Sequence, residues 1–356
     1  MKILKRSRMR LFLLLGLFAA GMAFGGSLEK GFQYYRQGEF EKAFIEIKAA
    51  AETGNPRAQG VLAILYSEGE GVGQDAVKAA EWNRKAAEQN WILAQYNLGI
   101  AYQSGKGVKQ DYREAVKWFR KAAEQGHAAS QLNLGYYYSK GMGVRQDYRE
   151  AVKWYRKAAE QGNADAQYNL GVTYGNGIGV KQDAAEAVKW FRKAAEQGLA
   201  DAQYNLGVAY REGKGARQDY REAVKWYRKA AEQGLADAQH NLGVAYEKGR
   251  GVGQDDAEAV KWYRKAAEQG FASAQHNLGV AYEKGRGVGQ DAAEAVRWYK
   301  KAAEAGLSEA QCAMGLAYAL GEGVRSDRAE AIRWLEKAAA QDHAGAKRVL
   351  GVLKGS

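Results

Sequence analysis

The sequence predicts an all-α fold, a right-handed αα-superhelical solenoid built from stacked helix pairs. Three observations carry that prediction. The chain of 356 residues aligns on itself in steps of 36. Each step holds two stretches with apolar residues at helical spacing. Glycines recur between the two stretches, and the whole chain contains a single proline.

The chain opens with Lys2, Lys5, Arg6, Arg8 and Arg10, which supply five of the +12 formal charges and leave +7 over the remainder. An apolar stretch from Leu11 to Phe24 follows. A cationic start before a short apolar run is the pattern of a secretory signal peptide. The run is short for a membrane span of about 20 residues, so residues 1–25 are expected to be a cleaved signal. Gly21, Ala23 and Gly25 supply small residues for cleavage, and no cysteine stands nearby to anchor a lipoprotein. No later segment is apolar enough to span a membrane, so the remainder is expected to be exported, periplasmic or secreted.

Residues 26–57 follow as a shorter helix pair with a tight turn at Gly38–Phe40, expected to cap the array. Eight 36-residue repeats occupy residues 58–345, starting at Ala58, Ala94, Ser130, Ala166, Ala202, Ala238, Ala274 and Ala310. In the repeat at Ala94, the residues Ala94, Leu98, Ala101 and Tyr102 mark one stripe of a first helix, with Gly99 leaving room for close helix approach. A Gly-Lys-Gly-Val turn follows, then Asp111 where an N-cap belongs and Glu114 three residues on, a capping-box spacing. The pair returns in later repeats, for example as Asp255 and Glu258; the first copy breaks it, with Asp75 followed by Lys78. In the second helix Ala115, Trp118 or Phe119, Ala122 and Ala123 are expected to be buried, with Lys117, Arg120, Lys121 and Glu124 facing water. Gly126 ends it. Residues 346–356 are half a unit, expected to cap the far end.

The motif A-Q-x-N-L-G-x-x-Y-x-x-G-x-G-V-x-x-D-x-x-E-A-x-x-W-x-x-K-A-A-x-x-G resembles the Sel-one-like repeat family, a branch of the tetratricopeptide-like proteins. The likeness covers residues 58–345, while Leu28–Asn55 looks more like an ordinary tetratricopeptide unit because it lacks the extended turn. The resemblance implies a scaffold for protein complexes, with exported bacterial members associated with envelope processes and host-cell contact. Cysteine-rich relatives, linked to β-lactam binding or hydrolysis, carry a disulfide in each repeat. Cys312 is the only cysteine of this chain, so a β-lactam or peptidoglycan hydrolase is a minor alternative. The absence of an Asn-x-Ser/Thr sequon points to a bacterial source.

By the same resemblance the first helices line a concave surface. One position there holds Tyr96, Leu132, Tyr168, Tyr204, His240, His276 and Cys312, an aromatic track. The next holds Asn97, Asn133, Asn169, Asn205, Asn241 and Asn277, an amide ladder suited to the backbone of an extended peptide. An equally simple role for those amides is to tie one repeat to the next. Tyr136 and Arg211 complete the candidate ligand-binding set; around Arg211 the position varies through Gln103, Ser139, Gly175, Glu247 and Glu283, where selectivity would reside.

Other signals point elsewhere. The Gly-x-Gly turns join two helices and lack a P-loop Lys-Ser pair, which argues against nucleotide binding. His240 and His276 lie one repeat apart and are expected on the surface rather than on a shared metal. No Ser/His/Asp or Cys/His set recurs, so no catalytic residue, cofactor or metal is assigned and the protein is expected to be a non-enzyme. The second helices carry repeating cations, from Lys117, Arg120 and Lys121 to Lys261, Arg264 and Lys265. They would form a basic ridge, whose alternative use is envelope binding to anionic lipid, lipopolysaccharide or, without sequence specificity, nucleic acid. The expected partner is a protein or peptide bound by a monomer.

Overall fold

The computed structural model describes residues 26–355; the signal-like segment lies outside the described residues. Those residues form nineteen α-helices and, among them, no strand. The pairs are α1 (Gly26–Gln37) with α2 (Phe40–Glu52), α3 (Pro56–Glu68) with α4 (Ala76–Glu88), α5 (Ile92–Ser104) with α6 (Tyr112–Glu124), and α7 (Ala128–Lys140) with α8 (Tyr148–Glu160). They continue as α9 (Ala164–Asn176) with α10 (Ala184–Glu196), α11 (Ala200–Glu212) with α12 (Tyr220–Glu232), and α13 (Ala236–Lys248) with α14 (Asp256–Glu268). The last are α15 (Ala272–Lys284) with α16 (Ala292–Glu304), α17 (Ser308–Leu320) with α18 (Arg328–Ala339), and the closing α19 (Ala344–Gly355).

Two compact units divide the chain: one runs to Ala166 and includes Ile178–Lys181, the other comprises Gln167–Gly177 and everything from Gln182. Within each, consecutive helices pack serially, as in a solenoid. A first helix buries its leucine on both neighbours. Leu98 and Leu134 in the first unit, and Leu206, Leu242 and Leu278 in the second, have no exposed surface, a gain of about 1.5–3 kcal/mol each. Trp118 and Phe119 are both buried, so the second helix presents a wider apolar stripe than one aromatic alone would give.

The capping box forms only by half. Asp111 accepts from the N–H groups of Arg113 at 2.8 Å and Glu114 at 3.1 Å, as expected of an N-cap. Its own N–H, however, donates to the carbonyl of Tyr102 at 2.9 Å. That carbonyl belongs to the last turn of α5, where helical partners run out, and it takes the donor the glutamate would have needed. Glu114 turns instead to Lys117, at 3.1 Å. Asp255 repeats the arrangement, with its N–H on Tyr246 at 3.0 Å and Glu258 on Lys261 at 2.8 Å.

Two glycines show why the turn and the first helix tolerate no side chain. A Cβ on Gly251, at φ +76°, would lie 2.1 Å from the carbonyl oxygen of Tyr220 at the start of the preceding second helix. The turn therefore rests directly on the backbone of the previous repeat. A Cβ on Gly243 would lie 2.7 Å from the ring of Tyr263, so the aromatic of α14 fills the space that glycine leaves.

Most repeats also carry a buried glutamine latch. Gln239 donates to the carbonyl of Ala231 at 3.1 Å and accepts from Gln269 at 2.8 Å, which ties α12, α13 and α14 together. Gln95, Gln131 and Gln203 do the same with Gln125, Gln161 and Gln233. In a sequence motif such a glutamine reads as a polar helix residue; only its burial shows it to be a fixed link.

Candidate functional site

The first helices bring the expected track and ladder onto one face of each unit. The rings are packed inward against the second helix of their own repeat: Tyr96 lies 6.0 Å from Phe119, Tyr168 lies 5.9 Å from Phe191, and Tyr204 lies 5.9 Å from Tyr227, centroid to centroid. His240 and His276 follow at 5.8 Å from Tyr263 and 5.5 Å from Tyr299. All five are half-buried. The track is thus a set of ring edges set into the surface, a shallow apolar strip with polar tips.

The two histidines differ from expectation. They are half-buried and not simply surface groups, because each occupies a tyrosine's place against the second-helix ring. Burial lowers the pKa of both. Asn277 joins them: its Nδ2 donates to His240 Nε2 at 3.2 Å, and its Oδ1 faces His276 Nδ1 at 3.4 Å. Among the described residues no group of three His, Cys, Asp or Glu side chains is placed to hold a metal ion.

The ladder amides are half-buried from Asn97 and Asn133 through Asn169 to Asn277. In the second unit they bond within the scaffold. Asn205 donates to the carbonyl of Asp201 at 2.8 Å and lies beside the Tyr168 hydroxyl. Asn241 donates to the hydroxyl of Tyr204 at 3.4 Å, reaching back one repeat. A primary amide has two N–H groups and an oxygen with two lone pairs, so one such bond leaves capacity for a ligand. Tyr136 is the exposed member, 43% accessible, with Lys140 6.0 Å from its ring centroid. Arg211 is drawn into an ion pair with Glu212 at 2.8 Å, and Lys214 pairs with the same carboxylate at 2.8 Å.

Carboxylates flank the track in the second unit, a feature the sequence reading passed over. Asp201 acts on Tyr168 and Asp237 on Tyr204, while Glu309 acts on His276. Glu247 accepts from Tyr263 at 2.7 Å, and Glu283 from Tyr299 at 3.0 Å. The signal was available: Asp201, Asp237 and Glu309 recur immediately before the repeat starts, one helical turn from the glycine of the motif.

On the second helices the repeating cations are engaged by the scaffold. Lys225 pairs with Glu222 at 3.0 Å, Arg228 donates to the Tyr246 hydroxyl at 2.7 Å, and Lys229 sits 4.3 Å from the Trp226 ring centroid. The set Lys261, Arg264 and Lys265 does likewise. Stacking on tryptophan and bonding to tyrosine explain these cations without an external partner. No helix among the described residues is long and apolar enough to cross a membrane.

Comparison with known proteins gives the same picture. A family model described as Sel1 repeat matches residues 56–91, 92–127, 128–163, 164–199, 200–235, 236–271, 272–307 and 308–343. Its frame begins two residues ahead of the alanine used above, inside the first helix. The chain is similar to the crystal structure of c5321, a protective antigen present in uropathogenic Escherichia coli strains that displays an SLR fold. Identity is 37%, the match covers 92% of this chain and 79% of that one, and the TM-score is 0.74. It is also similar to a Sel1 repeat protein from Oxalobacter formigenes, at 32% identity over 96% of this chain and 99% of that one, with a TM-score of 0.67. A search of curated proteins returns no match. Eight consecutive matched units and serially packed helix pairs place this chain in the Sel1 repeat family, whose members are generally protein-interaction scaffolds and not typically enzymes.

Proposed function

We propose that this protein is an exported, non-enzymatic scaffold that binds, as a monomer, a partner protein through an extended segment laid along the first-helix face. The observation that carries the reading is the register of that face. Ring edges and primary amides alternate with each repeat, from Tyr168 and Asn205 to His240 and Asn277, over a fixed core. Amides spaced by a constant repeat can pair with a peptide backbone, whose own donors and acceptors also recur regularly. Half-buried rings add apolar contact at low entropic cost.

Export rests on the cationic and apolar pattern of residues 1–25. Similarity to a protective antigen present in uropathogenic Escherichia coli strains supports a role in the envelope or in host-cell contact. The basic second-helix side carries the reading of anionic-surface binding less well, because its cations already serve the scaffold.

Affinity capture from envelope and host-cell fractions tests the proposal. The chain without residues 1–25 is run beside a variant with Tyr168, Tyr204 and Asn205 changed to alanine. A protein held by the parent and lost by the still-helical variant supports the first-helix face. Equal capture by both, abolished by 0.5 M salt, would reject that face and favour the basic side.

A further inference from the structure

The first-helix face changes at its C-terminal end. Asn205 stands against Tyr168, Asn241 against Tyr204 and Asn277 against His240, each amide filling the step between two repeats. At the next step, against His276, the amide's place is taken by Ala313, and the ring position of Ala313's own repeat holds Cys312. Both are smaller than the groups they replace, and a groove of about 330 Å³ opens there, beside His276. That volume is at the low end of ligand pockets, roughly 300–1,000 Å³, enough for one or two side chains.

The groove has an apolar floor and an acidic rim. Val280, Val296 and Leu316 line the floor, and Leu316 is 38% exposed. Glu283, Glu309 and Glu322 line the rim, and among the described residues no lysine or arginine lines it. Lys284, next in sequence to Glu283, is a nearby cation that acts on His276 from outside the lining. The nearby backbone N–H of Glu309 itself and a hydrogen bond from the Ser308 hydroxyl at 3.0 Å hold the Glu309 carboxyl below the ordinary carboxylate range. Carboxylates around a low-dielectric floor focus a negative potential, here in a chain whose net charge is +12. The side chain that matches both parts is a long aliphatic stem ending in a cation.

We infer that this groove is the anchoring subsite of the interaction face and takes a lysine or arginine side chain of the partner's extended segment. The stem lies on Val280, Val296 and Leu316, and the cationic head sits among Glu283, Glu309 and Glu322. The inference rests on the reading that a partner segment follows the first helices. It adds a polarity to that reading: selectivity resides at the end of the array where Ala313 removes the amide.

Fluorescence anisotropy with the full chain tests it. The probes are three labelled nonapeptides of one alanine- and valine-rich sequence, carrying lysine, norleucine or glutamate at the centre. The lysine peptide is expected to bind at least tenfold more tightly than the norleucine peptide at 50 mM NaCl, with the preference shrinking at 300 mM. Ala313→Asn, which refills the groove, and the double change Glu283→Gln with Glu322→Gln are each expected to erase that preference. Tyr204→Ala is expected to weaken all three peptides alike. Equal binding of lysine and norleucine peptides, or a preference that survives both groove variants, would overturn the subsite while leaving the face reading intact. Absence of any peptide binding also overturns the subsite, and the capture experiment then decides the face on its own. The glutamine changes, at the groove's polar rim, guard against misreading a folding defect in Ala313→Asn.

Discussion

Gln269 donates its side-chain N–H to the buried oxygen of Gln239 at 2.8 Å, and one repeat later the donor's place is taken by Ala305. The oxygen of Gln275 is consequently buried without a donor among the described residues. The latch is remade in the following repeat, where Gln341 donates to Gln311 at 2.9 Å. A missed hydrogen bond to a buried oxygen costs about 1–3 kcal/mol. Ala305→Gln is expected to restore it and raise the urea midpoint by the equivalent of about 1 kcal/mol. Gln269→Ala, which creates a second orphan, is expected to lower it. Equal midpoints for all three proteins would show that the latch contributes nothing.

The turn glycines make a sharper contrast. Gly251→Ala puts a methyl 2.1 Å from the Tyr220 carbonyl oxygen at a backbone angle that alanine disfavours. Backbone meets backbone there, so neither can swing away. The expected loss is about 2–4 kcal/mol, in the class of strained or overpacked sites. Gly253, two residues on, has nothing within 4 Å of an added Cβ and no left-handed angle, so Gly253→Ala is expected to stay within about 0.5 kcal/mol of the parent. Chemical denaturation of the pair measures the difference directly.

How much of this was legible in the sequence depends on the kind of constraint. Spacing exposes helices, so Leu98, Tyr102 and Trp118 could be placed on stripes and Asp111 at a cap. It does not show competition for one donor, and the capping box failed because Tyr102 offered its carbonyl to the Asp111 N–H. Nor does it show depth. His240 and His276 looked like surface groups by residue type, yet they inherit a half-buried tyrosine socket on Tyr263 and Tyr299. Two smaller signals were present but mute: Ala305 breaks the glutamine pattern and Ala313 breaks the asparagine ladder. Only coordinates turn the first into an orphaned oxygen and the second into a groove.

The ladder itself separates structural from recognition roles. Asn241 holds Tyr204 by a single long, part-exposed bond of 3.4 Å, which contributes about 0.5–1 kcal/mol at most. Asn241→Ala is therefore expected to shift the denaturation midpoint slightly. If its spare N–H and oxygen pair with a bound backbone, the same change is expected to weaken the lysine nonapeptide about tenfold, a loss of about 1.4 kcal/mol. A large stability loss with unchanged affinity would assign the amide to the scaffold alone.

Stability should also depend on pH through the buried imidazoles. His127, His240 and His276 all have pKa values lowered by burial, below an ordinary value of 6.5. The charged groups facing His240 are Asp237 and Glu247, and those facing His276 are Glu309, Glu283 and Lys284; the carboxylates oppose the shift without cancelling it. In the unfolded chain these histidines protonate near 6.5, whereas in the fold they stay neutral to lower pH. Between the two values the unfolded state binds more protons, so stability rises with pH there. The contribution is complete above about pH 6.5 and is lost as pH falls toward the folded values. His240→Tyr with His276→Tyr restores the residue used at Tyr204, removes two of the three groups and is expected to flatten the fall in denaturation midpoint between pH 7.5 and 5.5. It should leave a residual slope from His127, whose ring packs at a tilt against Tyr96, 4.8 Å between centroids, and caps α7 through the N–H of Ser130. A double variant as pH-sensitive as the parent would place the acid sensitivity in the carboxylates instead.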